Sequence, residues 1–151
     1  MTPPPPQQSA VTVRTFSQLL SATERGARLA RQLAVHQCHE WGIPYGSETS
    51  DAVAHIVAEL AANAVTHGQV RGRGFEIRLV HLDHDTDALL RIEVSDACGE
   101  RRPPEPGTLR TPATGADSGR GLFLVEALAD RWAVQDREPG GKTVRAEIDI
   151  R

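Results

Sequence analysis

The sequence predicts an α+β domain, a two-layer sandwich in which a mostly antiparallel sheet is covered on one face by about three helices. Three observations predict it. The stretch DAVAHIVAELAANAVTHG, Asp51 to Gly68, repeats apolar residues at helical spacing. Phe75–Leu82, Ala88–Ser95 and Thr143–Ile150 alternate with the period of two that belongs to half-buried strands. The elements come in the order strand, helix, helix, strand, strand, long loop, helix, strand, strand, which packs helices against hairpin-connected strands.

The chain is long enough for one domain with its own core: 151 residues, of which 39% are hydrophobic and 25% charged, a globular rather than a disordered balance. Residues 1–9 form a Pro-rich tail, and the domain is expected over 10–151. A net charge of −3 offers no basic footprint for nucleic acid and no polybasic membrane patch. No apolar run approaches the roughly 20 residues of a membrane span. The start, MTPPPPQQSA, lacks the basic and apolar regions of a secretory signal, so the expected compartment is the cytoplasm, with Cys38 and Cys98 as reduced thiols.

Val11–Phe16 suits a short strand. Ser21–Trp41 reads as a helix opened by a Ser21/Glu24 capping box and ended by Gly42 and Pro44. His36, Cys38, His39 and Glu40 crowd on it, but Cys38 points away from the other three and no second cluster completes a metal set. The helix Asp51–Gly68 takes its cap from Thr49 or Ser50 and buries Val53, Ile56, Val57, Leu60 and Ala64. Glu59 and Asn63 stand one turn apart on the flank of that stripe, at the edge of the core.

Phe75–Leu82 buries the row Phe75, Ile77, Leu79 and His81. A polar turn at Asp83–Asp87 joins it to Ala88–Ser95, which buries Leu90, Ile92 and Val94, and the two strands pair antiparallel. Asp96–Ser118 holds four prolines and no apolar period, and a loop of that length in a small domain is usually functional. Gly119–Asp130 returns to helical order with Leu122, Val125, Leu128 and Ala129 on one face. Trp132–Gln135 is a short strand, Glu138–Gly141 a turn, and Thr143–Ile150 the last strand, with Val144, Ala146, Ile148 and Ile150 as its apolar row.

Two places can carry chemistry without reference to any relative. Gly119-Arg120-Gly121 opens a helix, where free N–H groups, the helix dipole and absent side chains favour a phosphate, and Arg120 adds a charge. Asp96 ends a strand at the mouth of the sandwich, where its carboxylate can accept from an exocyclic amine. Each is also explained by ordinary turn chemistry. Gly140-Gly141-Lys142-Thr143 does not complete a phosphate-binding P-loop, because position 136 is Asp and a strand rather than a helix follows. There is no Gly-x-Ser-x-Gly elbow and no evident base for Cys98.

Taken in order, the motifs carry a resemblance. Glu59-Leu60-Ala61-Ala62-Asn63-Ala64 resembles the N-box of the GHKL superfamily, the Bergerat-type ATP-binding fold of gyrase, a heat-shock chaperone, histidine kinases and a mismatch-repair protein. Val94-Ser95-Asp96-Ala97-Cys98-Gly99 resembles its first glycine box, Gly119-Arg120-Gly121-Leu122 its second, and Gly141-Lys142-Thr143-Val144 its closing strand. The match runs from about Val11 to Ile150. One departure stands out: where the first box has glycine two residues after the Asp, this chain has Cys98, with Gly99 one later. A larger residue there can crowd the base.

The resemblance implies ATP and Mg²⁺ as cofactors. It implies that Asn63 ligates the metal, Glu59 acts as general base, and Asp96, with Gly99 in its box, holds the adenine amine. Gly119, Arg120, Gly121 and Leu122 would receive the phosphates, Gly99–Ser118 would be a lid, and Thr143 would support the adenine. The small size is similar to stand-alone anti-sigma-factor serine/threonine kinases of actinobacterial type. These bind a sigma factor and phosphorylate an anti-anti-sigma (STAS-type) protein, and some form homodimers. Two other readings stay open: an ATP-responsive binding module without kinase activity, and a split histidine-kinase catalytic domain. The second of these lacks a visible phosphoacceptor helix pair in this sequence.

Overall fold

The computed structural model describes residues 2–4, 10–67, 70, 72–84, 87–97, 120–137 and 140–150, with residues 120 and 121 described by backbone only. The described elements are β1 (Val11–Leu20), α1 (Glu24–Glu40), α2 (Glu48–His67), β2 (Phe75–His84), β3 (Ala88–Asp96), α3 (Arg120–Leu128), β4 (Arg131–Arg137) and β5 (Gly141–Ile150). The strands form a five-stranded sheet in the order β1-β2-β3-β5-β4, every neighbouring pair antiparallel. The expected two-layer α+β sandwich is thus observed. Among the described residues no helix is long and apolar enough to cross a membrane.

The core lies between α2 and the middle of the sheet. The row expected on α2 is buried as a set, Val53, Ile56, Val57, Leu60 and Ala64, and it meets Phe75, Ile77 and Leu79 of β2, Leu90, Ile92 and Val94 of β3, and Val144, Ala146 and Ile148 of β5. Alternation fixes this register, since a slip by one residue would turn each row outward. α2 packs against α1, α3, β2, β3 and β5, which makes it the hub of the domain.

The other face of the sheet carries charge. Glu147 accepts from Arg91 at 2.9 Å and from Arg131 at 3.1 Å, and Arg131 continues to Asp149. Burial alone would raise the Glu147 carboxyl, but the two guanidinium hydrogen bonds outweigh it and hold the group below its ordinary value.

The element bounds shift where side-chain capping or strand pairing decides them. The α1 cap is Thr23, whose Oγ1 accepts from Gly26 N at 3.1 Å, while Ser21 bonds the Thr23 hydroxyl, so the Ser21/Glu24 capping box is not formed. Ser47 caps α2 two or three residues earlier than Thr49 or Ser50 would, its Oγ accepting from Ser50 N at 3.2 Å, and Ser50 lies buried inside the helix. β1 runs on to Leu20 because β2 offers a hydrogen-bonding partner as far as Phe75, a fact about the neighbour that Ser17–Leu19 do not encode. β4 and β5 likewise extend toward each other, to Arg137 and Gly141. No metal-holding group of three or more His, Cys, Asp or Glu occurs among the described residues; His36 and His39 instead meet Tyr45, by a 3.1 Å hydrogen bond and by stacking.

Candidate functional site

The fold brings three motifs to one end of the sandwich. A short link carries the chain from the C-terminal end of α2 into β2, and Glu76, next to the start of β2, pairs with Ser95, next to the end of β3. The last turns of α2 and the end of β3 therefore share an end of the molecule. α3 meets β4 through only Ala129 and Asp130 and folds back over the sheet, with Leu122 and Val125 in the core. Since Arg131 pairs with Glu147 at the far end of β5, the first turn of α3 is directed back toward the end where Asp96 lies.

Glu59 and Asn63 stand half-buried on α2, on the flank of its apolar stripe. The Asn63 Nδ2 is buried and, among the described residues, has no hydrogen-bond partner. A buried amide left without a partner costs about 1–3 kcal/mol, so a native protein keeps one for a reason. A carboxamide and a carboxylate one turn apart make a hard-oxygen donor pair, the chemistry Mg²⁺ takes through few protein ligands while its remaining positions go to water and phosphate. The unpartnered Nδ2 is a donor and suits a phosphate oxygen, while Oδ1 is the Asn63 atom that could take Mg²⁺; together they fit a magnesium nucleotide.

Asp96 ends β3 on the core face and is buried, 6% exposed. Directly across on β5 is Lys142, also buried, whose Nζ lies 3.0 Å from Oδ1 and 2.9 Å from Oδ2 of Asp96. Below this pair the same row continues as Val94–Val144, Ile92–Ala146 and Leu90–Ile148. Thr143 falls one residue out of that row and lies on the opposite face, where its hydroxyl meets Ser95 Oγ at 2.7 Å. Strand alternation gives the place across from Asp96 to Lys142, a residue the sequence reading did not single out. The sequence held the signal, because counting back by twos from Ile148, Ala146 and Val144 arrives at Lys142.

Gly141 opens β5 against Asp96 itself; a Cβ there would run into the Asp96 carbonyl oxygen. Gly140 before it adopts φ of +83°, the left-handed conformation that favours glycine in a tight turn. α3 begins at Arg120, next to the helix start expected at Gly119, and Leu122 is buried. Cys98, Gly99 and Gly119 lie outside the described residues, as does the expected lid up to Ser118.

Two comparisons with known proteins bear on this arrangement. The family model described as the histidine kinase-like ATPase domain matches residues 20–148. Among solved structures, the RsbU and RsbW domains of Rv1364c from Mycobacterium tuberculosis share the fold at TM-score 0.62 with 19% sequence identity, over 91% of this chain. This chain spans only 33% of that one. No curated protein matches it in sequence. With the family model covering all three helices, β2, β3, β4, most of β5 and each of the motifs, the chain belongs to the histidine kinase-like ATPase domain family.

Proposed function

We propose that this chain is an ATP-binding regulatory protein, an anti-sigma factor that phosphorylates a serine or threonine of an anti-anti-sigma (STAS-type) partner. The observation that carries the reading is the buried Asn63 Nδ2, which has no hydrogen-bond partner among the described residues, one helical turn from Glu59. Asn63 would hold Mg²⁺, and the metal, when bound, would neutralise charge on the phosphates. Asp96 accepts from the base amine, and the first turn of α3 aims its N–H groups at the phosphate chain. Glu59, half-buried at the edge of the core, accepts the proton of the attacking hydroxyl. The similarity to a protein with an RsbW domain supports the regulatory half of this reading through the fold it shares.

A second reading, an ATP-responsive partner-binding module without phosphotransfer, is favoured by Cys98 standing where the first glycine box has glycine. Titration calorimetry with ATP, in the presence and absence of Mg²⁺, tests what the two share. Micromolar, Mg²⁺-dependent binding, about −8 kcal/mol, is expected. Labelled phosphate transferred to the partner in an acid-stable form then separates kinase from module. An acid-labile product would instead mark a histidine kinase. Absence of nucleotide binding under all conditions refutes both readings.

A further inference from the structure

Lys142 has no role in the reading above, yet it is built into the site. Its ammonium spans both oxygens of Asp96, and the two side chains are only 4% and 5% exposed. The rungs of the same row beneath it are wholly apolar, so the sheet has no need of a lysine here. A buried ammonium is expensive unless compensated, which makes its placement against this one carboxylate informative.

The chemistry of the pair differs from that of its members. An ionised carboxylate only accepts hydrogen bonds, and an ammonium only donates. A lone aspartate at the base end of a nucleotide site pairs with the 6-amino group of adenine and opposes a 6-oxo group, which presents another acceptor. A site built on one such hydrogen bond can reject the wrong partner by about 10⁴–10⁵. With Lys142 beside it, Asp96 becomes half of an acceptor–donor unit about one hydrogen bond wide. Adenine can give its 6-amino proton to Asp96 and take a proton from Lys142 at N1. A 6-oxopurine can use the same two groups in exchanged roles, O6 accepting from Lys142 and N1–H donating to Asp96. Asp136 stands across from Lys142 on β4, so the ammonium keeps an acidic neighbour as it turns to the base.

Resting on the reading of Asp96 as the base-binding carboxylate, we propose that the Asp96–Lys142 pair reads the purine edge as a donor–acceptor unit and admits 6-oxopurine nucleoside triphosphates as well as ATP. Lys142 is then the residue that sets base specificity.

The test is titration calorimetry on the full chain with ATP, ITP and GTP. ITP is the decisive probe because it differs from ATP only at the edge in question. The wild type is expected to bind ITP and GTP within about tenfold of ATP, since the penalty of an unpaired group is removed. Lys142→Met should weaken ITP relative to ATP by at least about tenfold, and Lys142→Arg, which keeps a donor, should preserve the ratio. A wild type that binds ATP but disfavours ITP by more than about 100-fold overturns the proposal, as does an unchanged ratio in Lys142→Met. If Lys142→Met does not fold, the wild-type ratio and Lys142→Arg still decide. Loss of ATP binding along with ITP in the wild type is a different failure, which refutes the nucleotide reading and this proposal together.

Discussion

Replacing Lys142 by methionine removes one partner of a buried ion pair and leaves the Asp96 carboxylate without its ammonium. Both side chains are at or below 5% exposure and joined at 2.9–3.0 Å, so solvent neither screens the pair nor compensates its loss. Breaking such a pair costs about 3–5 kcal/mol. For a domain of this size each kcal/mol moves the melting temperature by about 2–4 °C, which gives a fall of roughly 6–20 °C. Urea unfolding followed through Trp41 and Trp132, both packed against the core, measures it without any ligand. The double variant Asp96→Val with Lys142→Leu supplies the control. Replacing both charges by apolar groups should recover most of the loss, and the coupling between the sites should be several kcal/mol. A single variant within about 1 kcal/mol of wild type, or a double variant whose cost is the plain sum of the singles, refutes the buried pair.

Four other outcomes are expected. Asn63→Ala should abolish Mg²⁺-dependent ATP binding while leaving stability unchanged or higher by about 1 kcal/mol, because it removes a buried Nδ2 that has no partner among the described residues; calorimetry and urea melts read the two effects separately. Gly141→Ala should destabilise the β3–β5 pairing by about 1–3 kcal/mol, since its Cβ meets the Asp96 backbone carbonyl and the strands must part to admit it. The Cys38 thiol, buried on α1 and pushed up to about 12 by that burial, should resist a thiol reagent in the native protein and react only on unfolding. His81 is held below its ordinary value, chiefly by burial, with Asp83 raising it and Arg14 lowering it. The unfolded chain therefore binds more protons than the native one between that lowered value and 6.5, so His81 contributes stability in full above 6.5 that falls away as the pH drops through the lowered value; urea midpoints across this range should flatten in His81→Phe.

The helices and strands were legible because their rows are strictly periodic. Val53 to Ala64 and Phe75 to His81 could be assigned to the core from spacing alone, and both rows are buried. The ends were less legible because they depend on partners. Ser47 caps α2 through its own Pro44-anchored turn, its hydroxyl donating to the Pro44 carbonyl at 2.6 Å, and β1 lengthens because β2 is there to receive it. In the site, Glu59, Asn63 and Asp96 were legible as polar residues at the margins of apolar rows. Lys142 was overlooked because a lysine following two glycines reads as turn chemistry; the alternation of β5 puts it on the core face, and the cross-strand register then sets it opposite Asp96.

The position of α2 at the centre of the domain ties heritable variation in activity to variation in folding. Glu59 and Asn63 sit on either side of Leu60, which is 1% exposed and packed in the core. Truncating such a leucine to alanine costs about 2–5 kcal/mol, a large share of the stability of a small domain. The backbone amides from 59 to 63 should thus exchange with solvent only when the whole molecule opens, and the polar residues there inherit the rigidity of the rod that carries them. A genetic screen scored on activity would recover position 60 as readily as 59 and 63, although Leu60 would touch no ligand. Only a paired measurement of protein abundance would tell the mutants that fail to fold from those that fold and fail to act.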